Sequence, residues 1–117
     1  MSAHDLSGVG SAAELGLRID GLKDIQDILG AVYGLDGLIL LEDDLGPEFF
    51  RLGSGVAGEL FQKFVNFRLP VALVLRDFTA YGERFAELAH EHSRHPGVRF
   101  FHTEAEARRW LTELSAP

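Results

Sequence analysis

The chain contains no cysteine, one tryptophan and one methionine in 117 residues. Without a thiol, a disulfide framework, a Cys-ligated metal and a thiol nucleophile are all excluded. Cations are scarce as well: 11 Lys and Arg stand against 18 Asp and Glu, for a formal net charge of −7. They are scattered from Arg18 to Arg109 without forming a basic stripe. The electrostatic footprint that a phosphate backbone requires is missing, and nucleic acid is not an expected partner. No apolar run approaches the roughly 18 residues of a membrane span. Met1-Ser2-Ala3-His4-Asp5 lacks the basic and apolar segments of a secretory leader. The expected location is the cytoplasm, with no membrane span. Pro/Gly/Ser-rich tracts and internal repeats are also missing, which leaves no linker to divide the chain.

What is present is the composition of an ordinary globular domain, 46% apolar and 25% charged. A chain of this length buries roughly two thirds of the surface it exposes when unfolded, so it needs no staples. Residues 1–8 are small and polar and read as a flexible N-terminus, and 9–117 as a single α/β domain.

From Val9 the chain suits a short edge strand. The alternation in Leu15-Gly16-Leu17-Arg18-Ile19 suits a second, half-buried one, so a hairpin is expected there. Asp20 then stands as an N-cap before Leu22, Ile25, Ile28, Leu29 and Val32, which recur at helical spacing, and Gly34 is placed to end that helix. Leu38-Ile39-Leu40-Leu41 and Val71-Ala72-Leu73-Val74-Leu75 are continuous apolar runs, the habit of strands covered on both faces. A helix is expected over about 81–93, with Phe85, Leu88, Ala89 and His92 on one side. Val98-Arg99-Phe100-Phe101 is a short strand. Thr103 and Glu106 match a capping box opening a last helix that buries Ala107, Trp110, Leu111 and Leu114. The order is (β)βαβαβαβα, which implies right-handed crossovers and a four- to five-stranded, mainly parallel sheet with helices packed on it.

Between the two apolar strands lies Pro47-Glu48-Phe49-Phe50-Arg51-Leu52-Gly53-Ser54-Gly55-Val56-Ala57-Gly58, the layout of a loop-to-helix junction at the working end of such a sheet. Ser54 or Gly55 precedes a helix whose apolar stripe is Ala57, Leu60, Phe61, Phe64 and Val65, with Gln62, Lys63 and Asn66 facing outward.

The junction and its helix resemble a bacterial family, the domain of unknown function 4180. There the corresponding segments read approximately P-E-F-F-D-L, then G-L-A-G-E-I-L-Q-K-F-x-N-Y-R, then A-I-V. Here they are Pro47 to Leu52, Gly55 to Arg68 and Ala72 to Val74. Asp24 and Asp27 fall where its first helix carries D-A-L-D-L, and Leu75-Arg76-Asp77-Phe78 where it has G-D-F. The family is similar in layout to STAS domains, the fold of sporulation anti-anti-sigma factors. Those domains carry a phosphorylatable serine at the start of the helix after a central strand. Gly53-Ser54-Gly55-Val56 holds that topological place, without the aspartate that precedes the serine in their motif. The resemblance implies that Phe49, Phe50, Arg51, Gly55, Gly58, Glu59, Gln62, Lys63 and Asn66 form an interaction surface or a ligand pocket.

Each candidate has a plainer reading beside it. Ser54 is placed for a phosphate at a helix N-terminus, yet serine is also a preferred N-cap. Phe49 and Phe50 are adjacent, so a regular element cannot bury both on one face; either the loop folds over the sheet edge or one ring is exposed. Glu42, Asp43, Asp44 and Asp77 stand at strand ends where a magnesium site would fit, and also where solvated loop acids are usual. Of His90, His92 and His95, only the last two share a helix face, too few for zinc. Gly53-x-Gly55-x-x-Gly58 matches a dinucleotide fingerprint in spacing but not in context, and Gly58 reads as a helix-packing glycine. No nucleophile–base–acid set or paired-carboxylate arrangement is legible, so no catalytic residue, metal or cofactor is assigned.

The leading expectation is a non-enzymatic regulatory or protein-interaction module of STAS-like fold that presents residues 47–58 to a protein partner and is switched at Ser54. A homodimer through the N-terminal edge strand is a second form of partner. The alternative is a small-ligand or lipid-binding domain with Phe49, Phe50, Phe61 and Phe78 as pocket walls and Arg51 as an anchor for an anionic head. An enzyme is the third reading.

Overall fold

Among the described residues, four short strands carry the fold. A computed structural model describes residues 8–115, so the expected flexible segment 1–8 lies, apart from Gly8, outside the described residues. In chain order the elements are β1 (Val9–Ser11), α1 (Ala12–Leu15), α2 (Lys23–Ala31), β2 (Gly37–Leu41), α3 (Pro47–Phe50), α4 (Val56–Asn66), β3 (Val71–Val74), α5 (Glu83–Glu91), β4 (Val98–Phe101) and α6 (Glu104–Ser115). The sheet order is β1-β2-β3-β4, and every pair is parallel. The register sets Leu38 beside Val71 and Val71 beside Val98.

This topology dictates the layers. Three crossovers advancing in one direction with one hand place all their helices on one face. Accordingly Ile25 and Ile28 of α2, Leu60 and Phe64 of α4, and Phe85 and Ala89 of α5 pack against Leu38, Leu40, Val71, Leu73 and Phe100. The other face is left to α6, whose Ala107, Trp110 and Leu111 cover Ile39 and Ala72. Successive strand residues point to opposite faces, so an apolar run such as Leu38-Ile39-Leu40 feeds both cores and all three residues are fully buried.

The expected hairpin does not form. Ser11 accepts a hydrogen bond from the Glu14 amide at 3.1 Å and donates its own amide to the Glu14 carboxylate at 2.9 Å. That reciprocal cap starts α1, and Gly16, left-handed at φ 71°, ends it. Of the expected second strand, only Ile19 pairs, in a parallel bridge to Leu45. Asp20 is not the N-cap acceptor either: the Asp24 carboxylate takes the amides of Asp20 and Gly21 at 2.8 and 2.9 Å, while Asp20 pairs with Arg18. Leu22, Val65 and Leu114 were expected in apolar stripes but are exposed, at the ends of their helices or beyond; in α4 it is Val56 that is buried. The Thr103–Glu106 capping box is present, with both backbone bonds at 3.2 Å.

Candidate functional site

Parallel strands deliver their C-terminal ends to one edge of the sheet, and the junction after β2 folds over that edge. Its first part is α3, opened by Pro47, whose missing N–H costs nothing in the first turn of a helix. Neighbouring positions on a helix diverge by about 100°, so the two phenylalanines part company. Phe49 points inward and is fully buried, meeting Phe50, Phe61 and Phe85 edge-on at centroid distances of 5.4, 6.1 and 6.0 Å. Phe50 stays half-buried and lies flat on Tyr81, 3.7 Å away with 10° between the planes.

Beyond α3 the chain makes one 3-10 turn, Leu52–Ser54. Ser54 holds it: its hydroxyl donates to the Glu48 carbonyl at 2.6 Å and accepts the Val56 amide at 3.3 Å. Gly55 then takes φ 83°, a conformation a side chain would strain, and α4 begins. Arg51 is exposed and paired with Glu48 at 2.9 Å.

Phe50, Arg51, Leu52 and Gly53 face Tyr81, Arg84 and Phe85 across an open cleft of about 330 Å³. The structure does not bring the remaining expected site residues into this cleft. Glu59 and Lys63 pair with each other at 3.6 Å on the outer side of α4, where Gln62 and Asn66 are also exposed. Gly58 is exposed, and a Cβ built there meets nothing within 4 Å, so it is not a helix-packing glycine. Of the other proposed pocket walls, Phe61 is buried in the core and Phe78 stacks on His102 at 4.1 Å.

Tyr81 was missed at the sequence level. The helix expected over about 81–93 includes it, but Gly82 at φ 100° interrupts the chain there and α5 starts only at Glu83. Tyr81 is thereby free to donate its hydroxyl to the Glu42 carboxylate, whose other oxygen accepts the Arg76 amide at 3.0 Å. Burial, and then the Glu42 carboxylate, push the Tyr81 phenol up to about 12, so it remains a donor across the physiological range. The Tyr81 hydroxyl and the Arg76 amide hold Glu42 below its ordinary range. Glu42 thus fixes Tyr81, and Tyr81 carries Phe50. Sequence separation hid this link, since the two partners are 39 residues apart.

The acids at the strand ends do not converge. Asp44 turns inward to accept the Leu41 amide at 2.8 Å, and burial raises its carboxyl. Asp77 accepts from the Thr79 amide and hydroxyl, which lower its carboxyl. Among the described residues no group of three or more His, Asp or Glu could hold a metal ion. His92 and His95 do lie together, with centroids 5.0 Å apart, but the His95 Nδ1 is spent accepting the Gly97 and Val98 amides at 3.0 Å each.

These features define a single α/β domain with an all-parallel four-stranded sheet and an aromatic junction braced over the C-terminal strand edge. Residues 9–111 match the family model described as Domain of unknown function (DUF4180), and the chain belongs to that family. No curated protein and no solved structure matches it. No described helix is long and apolar enough to cross a membrane.

Proposed function

We propose that this chain is a non-enzymatic interaction module of STAS-like layout, acting in the bacterial cytoplasm by presenting the 47–58 junction and the start of α5 to a protein partner. The observation that carries this reading is the bracing of Phe50. One face of its ring rests on Tyr81, which Glu42 holds from below, and Phe49 and Phe85 fill the space behind. A large aromatic held rigid beside water, with Arg51 and Arg84 flanking it, is the kind of anchor that concentrates binding energy at interfaces, because little rotamer entropy is lost on contact.

Ser54 supports a switch built into that surface. A phosphate on its oxygen has no proton to donate to the Glu48 carbonyl, so the 2.6 Å bond that closes the turn is lost while charge is added beside Arg51. The turn would loosen and Phe50 would lose its fixed position. The test uses protein purified from its native host with its partner retained, as read by native mass spectrometry. Phe50→Ala and Ser54→Asp are expected to weaken the complex about tenfold or more while the domain stays folded. A complex equally tight with both variants defeats the reading. The small-ligand alternative predicts instead a bound mass of a few hundred daltons, lost on denaturation, that the same two variants release.

A further inference from the structure

A second cleft lies at the opposite edge of the sheet from the junction, where α2 and α4 end. It measures about 540 Å³ and is walled by Leu29, Val32, Leu35 and Leu69, with Tyr33 and Phe67 at its rim. That volume falls in the range of small-molecule sites. The two rim aromatics stand in water, Tyr33 85% exposed and Phe67 66% exposed. The one charged side chain lining the cleft is Arg68.

Arg68 is also a backbone outlier. Among the described residues it is the only non-glycine with positive φ, at 57°. The Leu69 amide bonds back to the Phe64 carbonyl at 3.0 Å, which makes this the left-handed position closing α4, where glycine is the usual residue. An arginine there carries strain that glycine would not. Among the described residues its guanidinium makes no ion pair and no side-chain hydrogen bond that would repay the strain. An apolar cleft with exposed aromatic lips and a single unengaged cation is complementary to one chemistry, an apolar body bearing one negative charge.

We infer that the cleft between the C-terminal ends of α2 and α4 binds a small monoanionic amphiphile, its apolar part against Leu29, Val32, Leu35 and Leu69 and its anionic head on Arg68. The site is separate from the junction, so it stands or falls independently of the partner reading above.

The experiment titrates the full chain with decanoate and, in parallel, with decylamine, both below their micelle concentrations, following backbone amide shifts and heat. Expected are saturable binding of decanoate, shifts concentrated at residues 29–35 and 67–69, and decylamine weaker by about tenfold or more, as loss of a charge-assisted contact requires. Arg68→Gly is the decisive variant. It relieves the strained turn, so it should melt no lower than the native chain while losing decanoate affinity by about tenfold or more. A second variant, Gly30→Leu, places bulk in the cleft from an exposed position where a Cβ meets nothing within 4 Å, and should block binding. The proposal is overturned if decanoate does not saturate, if decylamine binds as well, if Arg68→Gly or Gly30→Leu binds decanoate unchanged, or if the shifts map to residues 50–53 and 81–85.

Discussion

Phe49 and Phe50 are neighbours in sequence with opposite duties, and truncating each separates them. Phe49 is fully buried and makes three edge-on contacts with Phe50, Phe61 and Phe85. Removing a ring of that kind costs about 3–5 kcal/mol in lost transfer energy and residual cavity. Against a total stability of about 5–15 kcal/mol for an ordinary domain, Phe49→Ala should consume much of the margin. With a urea m-value of about 2 kcal/mol/M, the midpoint falls by about 1.5–2.5 M. Phe50 is half-buried and rests one face on Tyr81, so Phe50→Ala should cost only about 1–2 kcal/mol.

Trp110 supplies an independent reporter for both. It is the single tryptophan, sits in α6 on the far face of the sheet beside Phe101, and carries the Arg99 guanidinium 4.9 Å from its ring centre. Its fluorescence therefore follows unfolding of the whole domain and not a local change at the junction. A loss below about 1 kcal/mol for Phe49→Ala, or equal losses for the two variants, would refute the assignment of one ring to the core and the other to the surface.

Three further outcomes follow from single contacts. Ser54→Ala removes the hydroxyl that joins the Glu48 carbonyl to the Val56 amide; it should cost about 0.5–1.5 kcal/mol in the same urea assay, and no cost would mean the turn closes without it. Asp44 is buried and its carboxyl is raised, so ionising it penalises the folded state; that penalty is absent when the group is protonated at acid pH and is incurred as pH rises through the raised value. Asp44→Asn keeps an oxygen for the Leu41 amide and removes the charge, so it should melt higher than the native chain at about pH 7 and lose that advantage at about pH 3; an advantage that grows toward acid contradicts the sign. At Gly46 an added Cβ would run into the Asp20 side-chain oxygen and lie 3.1 Å from its Cα, so Gly46→Ala should destabilise by about 1–3 kcal/mol in thermal melts, whereas a neutral result would mean the 18–20 segment is free to move aside.

Strands β2 and β3 were legible because a strand buried on both faces must be apolar at every position, and Leu38-Ile39-Leu40 and Val71-Ala72-Leu73 are. The Thr103–Glu106 cap was legible because it is local. An equally local box at Ser11 and Glu14 competes with the alternation at 15–19, and in the fold the box prevails, so no hairpin forms. The junction stands out as a candidate site by its composition, but its construction depends on Glu42 meeting Tyr81, which no spacing rule reveals. The expectation that residues 55–66 would share one surface with the phenylalanines did not allow for the direction of α4, which carries Gln62, Lys63 and Asn66 along its own solvent face. The cleft around Arg68 was invisible for a related reason: its walls come from the ends of two helices, and the strain at position 68 is a property of the folded turn.

The central claim is that the working face is the junction and not another part of the surface. Its most direct test places a photo-crosslinking amino acid at Arg51, beside Phe50, and as a control at Glu113 in α6, both exposed, and irradiates living cells of the native host. The account predicts one defined protein crosslinked from position 51, absent from position 113 and lost when Phe50→Ala is added. Crosslinks that are the same from both positions, or that persist without the Phe50 ring, would contradict it.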